Sequence, residues 1–436
     1  MKKFTRKWQL RLYGCAGLGV NLLNTVVASY LGSALLVGGF EENVENWTYL
    51  NKDLVIAGVW AGFIFIAKII DGLVDIPFSY MTDNLRTRWG KRRPSILIGL
   101  IPTVIVYVLM LFPLNDSATW LNTIWFALLT LAFFSSYTLT MITYYATFAE
   151  VTEKQSDIVV ISNAKSICDL IYFALGFALV PLFIKMGVNI RIVAICCLPL
   201  VLTMLIPMFM LKEKSNLDEG ERLPKEQRPT IKKAIMFTIK DVPFIKWLIC
   251  LFAMNAGLSL FLSGINEVFS SMGLNMTLIL GISFAPIPLT LALYNWIVRK
   301  KGLGFAFRYV MITYAFGMLM MPLAYVVPKS VLLPGAIVCA LVVSLSIGAF
   351  FSLIYTVPSA RAASRMKEDA SASSMYFAIQ GLVEGISAGL AGGIILVWLK
   401  QSDNIPWLTV IVAGFCILAC LLSFILPKEM KNLGKD

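Results

Sequence analysis

The feature that most limits this chain is a series of long apolar runs separated by short polar ones. Runs long enough to cross a bilayer, roughly 20 residues each, are read at 11–38, 54–82, 94–113, 120–147, 160–184, 191–211, 244–270, 275–298, 305–327, 331–357, 372–399 and 406–426. The predicted class is an all-α membrane protein with twelve transmembrane helices. Composition agrees, with 58% hydrophobic and 14% charged residues and a mean hydropathy of +0.79, against roughly 45–50% and 25% in soluble domains. The basic opening MKKFTRKWQLR has the character of a signal n-region. The apolar run behind it is too long for an h-region and is followed by another span, so it is read as a retained first helix. All eight cysteines fall in apolar runs, without metal or disulfide spacing, and read as small core residues.

An even number of spans puts both termini on one side. Of the 37 Lys and Arg residues, 28 fall on that side, whereas the opposite loops hold only Lys52, Lys185, Arg191, Lys329 and Lys400. The positive-inside rule therefore predicts cytoplasmic termini in a multi-pass cell-membrane protein, expected in a bacterial inner membrane. The net charge of +12 reads as this orientation signal plus attraction to anionic lipid headgroups. Membrane lipid is an expected partner and nucleic acid is not.

The longest polar segment, LKEKSNLDEGERLPKEQRPTIKK at 211–233, carries mixed charge and two prolines and reads as a linker. It divides the chain into an N-terminal six-helix half (1–211), a linker (212–241) and a C-terminal six-helix half (242–436). The halves echo one another: TDNLRTRWGKRRP follows span two, and YNWIVRKKGLGFAFR follows span eight. Paired halves around a central linker mark the major facilitator architecture, with the substrate site between them at mid-membrane depth.

Charges inside spans carry the functional signal. Lys68, Asp71 and Asp75 fall within roughly 60° of one another on a helix. Each costs about 2.5–3.5 kcal/mol near a helix centre, so the stripe must face protein or a wet cavity. A structural Lys68–Asp71 ion pair leaves Asp75 unexplained. Two carboxylates one turn apart hold a proton or attract a hard cation, the wiring of a cation-coupled transporter. Lys165 and Asp169, at i and i+4, suit either an ion pair or solute contact. Glu384, with Gln380 one turn earlier, suits either the cavity or helix packing, and Glu267 is placed near the outer end of span seven. In the loop after span two, Asp83 and the cations Arg86, Arg88, Arg92 and Arg93 form an expected cytoplasmic gate, with Glu150 and Glu153 as the acidic partners nearest by topology. Gly90 allows the tight turn between the helices.

Enzymatic readings find little support. The chain has no histidine and no G-x-S-x-G or HExxH, which removes most routes to membrane hydrolysis. Without a phosphate-cradling loop, ATP is not the expected energy source. No cofactor is expected beyond a coupling cation, Na+ or H+, and the chain is expected to act as a monomer on a small-molecule solute. A lipid or lysolipid translocase on the same fold, or a proton-coupled carrier of a non-sugar metabolite, is the alternative.

The order of LYGCAGLGVN (12–21), KIIDGLVD (68–75), RWGKRRP (88–94) and YTLTMITYYATFAEVT (137–152) resembles the glycoside-pentoside-hexuronide:cation symporters, the melibiose permease group of the major facilitator superfamily. The resemblance covers most of the N-terminal half. It implies that Asp71 and Asp75 are cation ligands, that Thr138 is a third, and that the solute is a sugar, glycoside or related small polar solute. The family's asparagine before the second aspartate is Val74 here, which removes an oxygen and keeps a proton beside sodium as coupling ion. Asn21 and Met141 stand where the family has sugar-binding aspartates. Tyr145 takes the place of its stacking aromatic residue, and Lys165 that of its helix-five arginine. Two carboxylates that would grip sugar hydroxyls are thus absent, which turns the expectation away from galactosides and leaves Asn21, Tyr145 and Lys165 to hold a polyol, a uronate or another polar solute.

Overall fold

The computed structural model describes residues 3–4, 6–37, 44–152, 154–217, 231–264, 268–269, 272, 279, 281–283, 286–365, 373–402 and 404–435. Lipid offers no partner to backbone N–H and C=O groups, so the apolar runs fold as helices that satisfy both internally. In chain order the long helices are α1 (Lys7–Leu31), α2 (Ala57–Asn84), α3 (Arg92–Leu109), α4 (Trp120–Val151), α5 (Asp157–Lys185) and α6 (Ile190–Met210). The second set is α7 (Val242–Ser263), α8 (Ile287–Lys301), α9 (Leu303–Tyr325), α10 (Lys329–Arg365), α11 (Ser373–Gly389, continued by Leu390–Ile395 and Leu396–Gln401) and α12 (Ile405–Ile425). Among the described residues, ten helices are long and apolar enough to cross a membrane. The other two, α2 and α11, carry Asp71, Asp75 and Glu384.

The helices form two bundles. In the first, α2 and α3 pack on α4, and α1 packs on α5 and α6; in the second, α12 packs on α7 and α9, and α10 on α8 and α9. The halves meet where α2 lies on α11, where α5 lies on α10, and where α4 contacts both α10 and α11. Hydrogen bonds stitch the seam: Ser166 Oγ donates to Gly348 O at 2.7 Å and Ser352 Oγ to Asn163 Oδ1 at 3.1 Å. The outer faces stay apolar, as Ile98, Ile101 and Ile105 on one side of α3 show by their exposure, suiting lipid.

Both chain ends lie at one end of the bundle. Phe4 N donates to Val151 O at 2.9 Å, beside the end of α4, and Leu303 N donates to Leu433 O at 3.1 Å, at the start of α9. Helices outrun their apolar runs at this end. The expected limits were 82, 147 and 357, but α2 continues to Asn84, α4 to Val151 and α10 to Arg365. Asp83, Glu150 and Arg361 thus stand on helices rather than in loops, because buried polar contacts hold the last turns. α1 stops short of the expected 38, in a π turn over Val27–Leu31.

Of the linker, residues 218–230 lie outside the described residues, as do Glu153, Glu267 and the side chain of Lys68. The helix Ile231–Ile239 packs against α11, α7 and α2.

Candidate functional site

A cavity of about 240 Å³ opens between the halves. The first half brings Asp75 from α2 with Tyr137, Thr138 and Tyr145 from α4, and the second brings Tyr355 from α10 with Phe377, Gln380 and Glu384 from α11. A few convergent polar groups on an aromatic wall are the usual make-up of a small-molecule site. A second cavity of about 120 Å³ runs against α9 and α10, lined by side chains such as Met320, Leu323 and Leu332. It offers a polar solute little to bind.

The expected cation residues come together. Thr138 Oγ1 donates to Asp71 Oδ1 at 2.9 Å, joining α4 to α2. One turn on, Asp75 is 8% exposed and forms part of the cavity wall. Two carboxylates and a hydroxyl at the meeting of α2 and α4 are hard oxygen donors of the kind that suit Na+ or a proton. Position 74, a valine, adds no oxygen.

The expected solute contacts Asn21, Lys165 and Asp169 form a second layer. Lys165 and Asp169, both fully buried, make an ion pair along α5. Asn21 Nδ2 donates to Asp169 Oδ1 at 3.1 Å, and Tyr137 OH donates to Asn21 Oδ1 at 2.9 Å. The ammonium lies 4.8, 5.6 and 5.8 Å from the ring centroids of Tyr355, Tyr145 and Tyr172. These rings stand between the ion pair and the cavity, so the pair supports the wall rather than forming it. Tyr145 itself is on the wall, its ring 4.8 Å from that of Tyr355 and 5.7 Å from that of Phe377.

On α11, Gln380 is held on three sides. Its Nε2 donates to Ile354 O and to Glu384 Oε1, both at 2.9 Å, and its Oε1 accepts from Trp247 Nε1 at 3.1 Å. Asn255 Nδ2 donates to the backbone oxygen of Glu384 at 3.0 Å and to Ser387 Oγ at 2.7 Å. α7 thereby fixes the stretch of α11 that presents Glu384 to the cavity.

At the end of the bundle where the chain termini lie, Arg92 is fully buried and bridges the halves. Its Nη2 donates to Asp83 Oδ1 at 2.6 Å and to Glu150 Oε1 at 2.5 Å, and its Nη1 donates to Ser374 Oγ of α11 at 2.9 Å. Asp83 Oδ2 also accepts from Ser374 N at 3.2 Å. Of the residues expected at a gate, Asp83, Arg92 and Glu150 therefore meet. Arg86 and Arg88 stand exposed, away from this cluster, because the turn before Gly90 (φ 87°) faces outward. Arg93 meets the linker rather than this cluster: Glu213 accepts from Arg92 N at 3.1 Å and from Arg93 N at 3.0 Å, placing an acidic group at the N-terminus of α3, where it is favoured.

Sequence reasoning missed several partners. Ser374, Tyr355, Phe377 and Gly381 all come from the C-terminal half, and nothing local marks them. The same holds for a second cluster, in which Arg361 donates to Asp241 at 3.0 and 2.8 Å while Tyr376 OH donates to Asp241 at 3.0 Å. Tyr137 and Glu213 had a weak signal, one as an aromatic beside Thr138 and the other as an acid among linker cations.

Three comparisons bear on this geometry. The chain is similar over 65 residues to a glucuronide carrier protein homolog of Escherichia coli K12 (34% identical, 14% of each chain). It is similar over 93 residues to a lactose permease of Lactobacillus helveticus (30% identical, 21% of this chain and 15% of that one). It is similar over 58 residues to the inner membrane symporter YicJ of Escherichia coli K12 (40% identical, 12% of this chain and 13% of that one). Each match spans about one-seventh of the relative's length. Among solved structures, the fold resembles that of the Escherichia coli fucose:proton symporter (TM-score 0.64, 11% identical, 97% and 98% of the chains covered). It also resembles that of the proton:xylose symporter XylE (0.63, 16%, 98% and 96%). The family model described as MFS/sugar transport protein matches residues 12–426. With twelve long helices among the described residues, in two halves with a cavity between them, the chain belongs to that family and is a multi-pass membrane protein of the major facilitator superfamily.

Proposed function

We propose that this transporter is a secondary active symporter that couples a cation, Na+ or H+, to uptake of a sugar, glycoside or similar small polar solute. The observation that carries the reading is Asp75. It is a carboxylate buried in a spanning helix, next to the Asp71–Thr138 pair, and it shares a cavity with the ring of Tyr145. Charges at this depth are expensive and mark ion and substrate pathways. With cation and solute sites on one cavity, each can favour the same closed arrangement of the halves, which is what coupling requires. The halves 1–211 and 242–436 rock about the linker 212–241. Opening at the terminal end breaks the Arg92–Ser374 contact, and closing restores it. By the distribution of Lys and Arg that end is cytoplasmic, in a bacterial inner membrane, and the unit is a monomer. The mixed polar and aromatic wall favours a polar solute over a lipid.

Reconstituted protein tests this. Asp75→Asn is expected to abolish accumulation driven by an imposed proton or sodium gradient while retaining part of solute binding or exchange, since the aromatic wall is untouched. Full accumulation by a folded Asp71→Asn, Asp75→Asn double variant would leave both aspartates structural.

A further inference from the structure

The charge of the cavity wall narrows the solute. Its ionisable carboxyls are Asp75 and Glu384, and no Lys or Arg is found among the described residues that line it. Two buried cations among the described residues, Lys165 and Arg92, are spent elsewhere. Lys165 is fully buried, paired with Asp169 and covered by tyrosine rings. Arg92 is buried at the terminal end between Asp83 and Glu150. The wall thus has oxygen acceptors for hydroxyl groups and aromatic faces for a sugar ring, and among the described residues no cation to neutralise an acid.

Resting on the symporter reading above, we infer that the cavity takes uncharged sugars or glycosides and rejects the same sugars when they carry a carboxylate. A uronate would bring a carboxylate to a wall whose described residues offer no cation to pair with it, at a site screened little by water, where an unpaired charge is costly. A neutral glycoside loses nothing there: its hydroxyls donate to carboxylate and amide oxygens, and its C–H face rests on Tyr145, Tyr355 or Phe377. A cation held by Asp71 and Asp75 offsets the coupling site, and Glu384 on the other half adds an oxygen acceptor rather than a cation.

Calorimetry on the purified full-length protein tests this with matched pairs that differ only at the sixth carbon: methyl glucoside against methyl glucuronide, and methyl galactoside against methyl galacturonide. In any pair that binds, the neutral member is expected to bind roughly tenfold tighter or more, the ratio that about 1.4 kcal/mol gives. Glu384→Gln is expected to narrow the gap by improving the uronate. The side chain of Lys68 lies on α2 outside the described residues, so Lys68→Gln is measured as well and is expected to leave the order unchanged. A uronate that binds tighter than its neutral partner, or whose binding depends on Lys68, overturns the inference and leaves the symporter reading standing. If neither member of any pair binds, the sugar reading falls and the inference with it.

Discussion

Gly381 of α11 leaves the space that the Asp75 carboxylate of α2 occupies: a Cβ at position 381 would stand 2.2 Å from Asp75 Oδ2. Gly72 and Leu382 continue this close crossing of the two helices. A residue of the second half thus sets where a proposed coupling carboxylate of the first half can sit.

Gly381→Ala is therefore expected to displace Asp75 without unfolding the protein, because the atom that must yield is the end of a side chain. Gradient-driven accumulation should fall roughly tenfold or more, a change of about 1.4 kcal/mol, with the melting temperature little altered. Gly19→Ala is the contrast. There a Cβ would stand 1.9 Å from the backbone oxygen of Leu200, and overpacking of about 1–3 kcal/mol should appear as lost stability. Wild-type accumulation by folded Gly381→Ala would disprove the positional role.

Arg92 and Ser374 separate stability from gating. Arg92→Gln leaves Asp83 buried without this cation and Glu150 with the more distant Lys91 at 3.9 Å; breaking a buried pair typically costs about 3–5 kcal/mol, so thermal stability should drop sharply. Ser374→Ala removes hydrogen bonds to charged groups across the seam, about 1.5–3 kcal/mol, with the N-terminal cluster kept. It should mainly favour opening at the terminal end. Labelling of Ser79→Cys, buried in the wild type, in a background lacking the eight native cysteines, reports that opening. Unchanged labelling in Ser374→Ala would place the gate elsewhere.

Tyr145 should act through its ring. Its hydroxyl lies 3.4 Å from that of Tyr355, a weak contact, whereas the rings are packed. Tyr145→Phe is expected to bind solute nearly as the wild type does. Tyr145→Ala, losing an aromatic contact of about 0.5–1.5 kcal/mol and part of the wall, should bind several-fold to tenfold more weakly. Equal losses, measured by calorimetry, would point to the hydroxyl instead.

Lys165 and Asp169 are expected to behave as a unit. Asp169→Asn strands a buried ammonium and should destabilise the protein by about 3–5 kcal/mol, whereas the apolar double substitution Lys165→Met, Asp169→Leu should recover much of that loss. Melting temperatures in detergent decide the point. A double variant no more stable than Asp169→Asn would show that the pair does more than neutralise itself.

The sequence by itself determined the parts of this protein that follow from local pattern. Apolar length specified spanning helices, because lipid leaves the backbone no other partner. The polar segment at 211–233 pointed to two halves. Spacing within one helix put Asp71 with Asp75 and Lys165 with Asp169 on shared faces, and the motif order led to the family. Only the tertiary structure decided what those faces meet. Tyr145 finds Tyr355 and Phe377, Arg92 finds Ser374, and Asp75 finds Gly381, each across the seam between halves and far apart in sequence. Helical periodicity fixes a side chain's direction around its own axis and carries no information about which helix lies opposite. That choice is made by how two bundles close on one another, and it put tyrosines between the Lys165–Asp169 pair and the cavity.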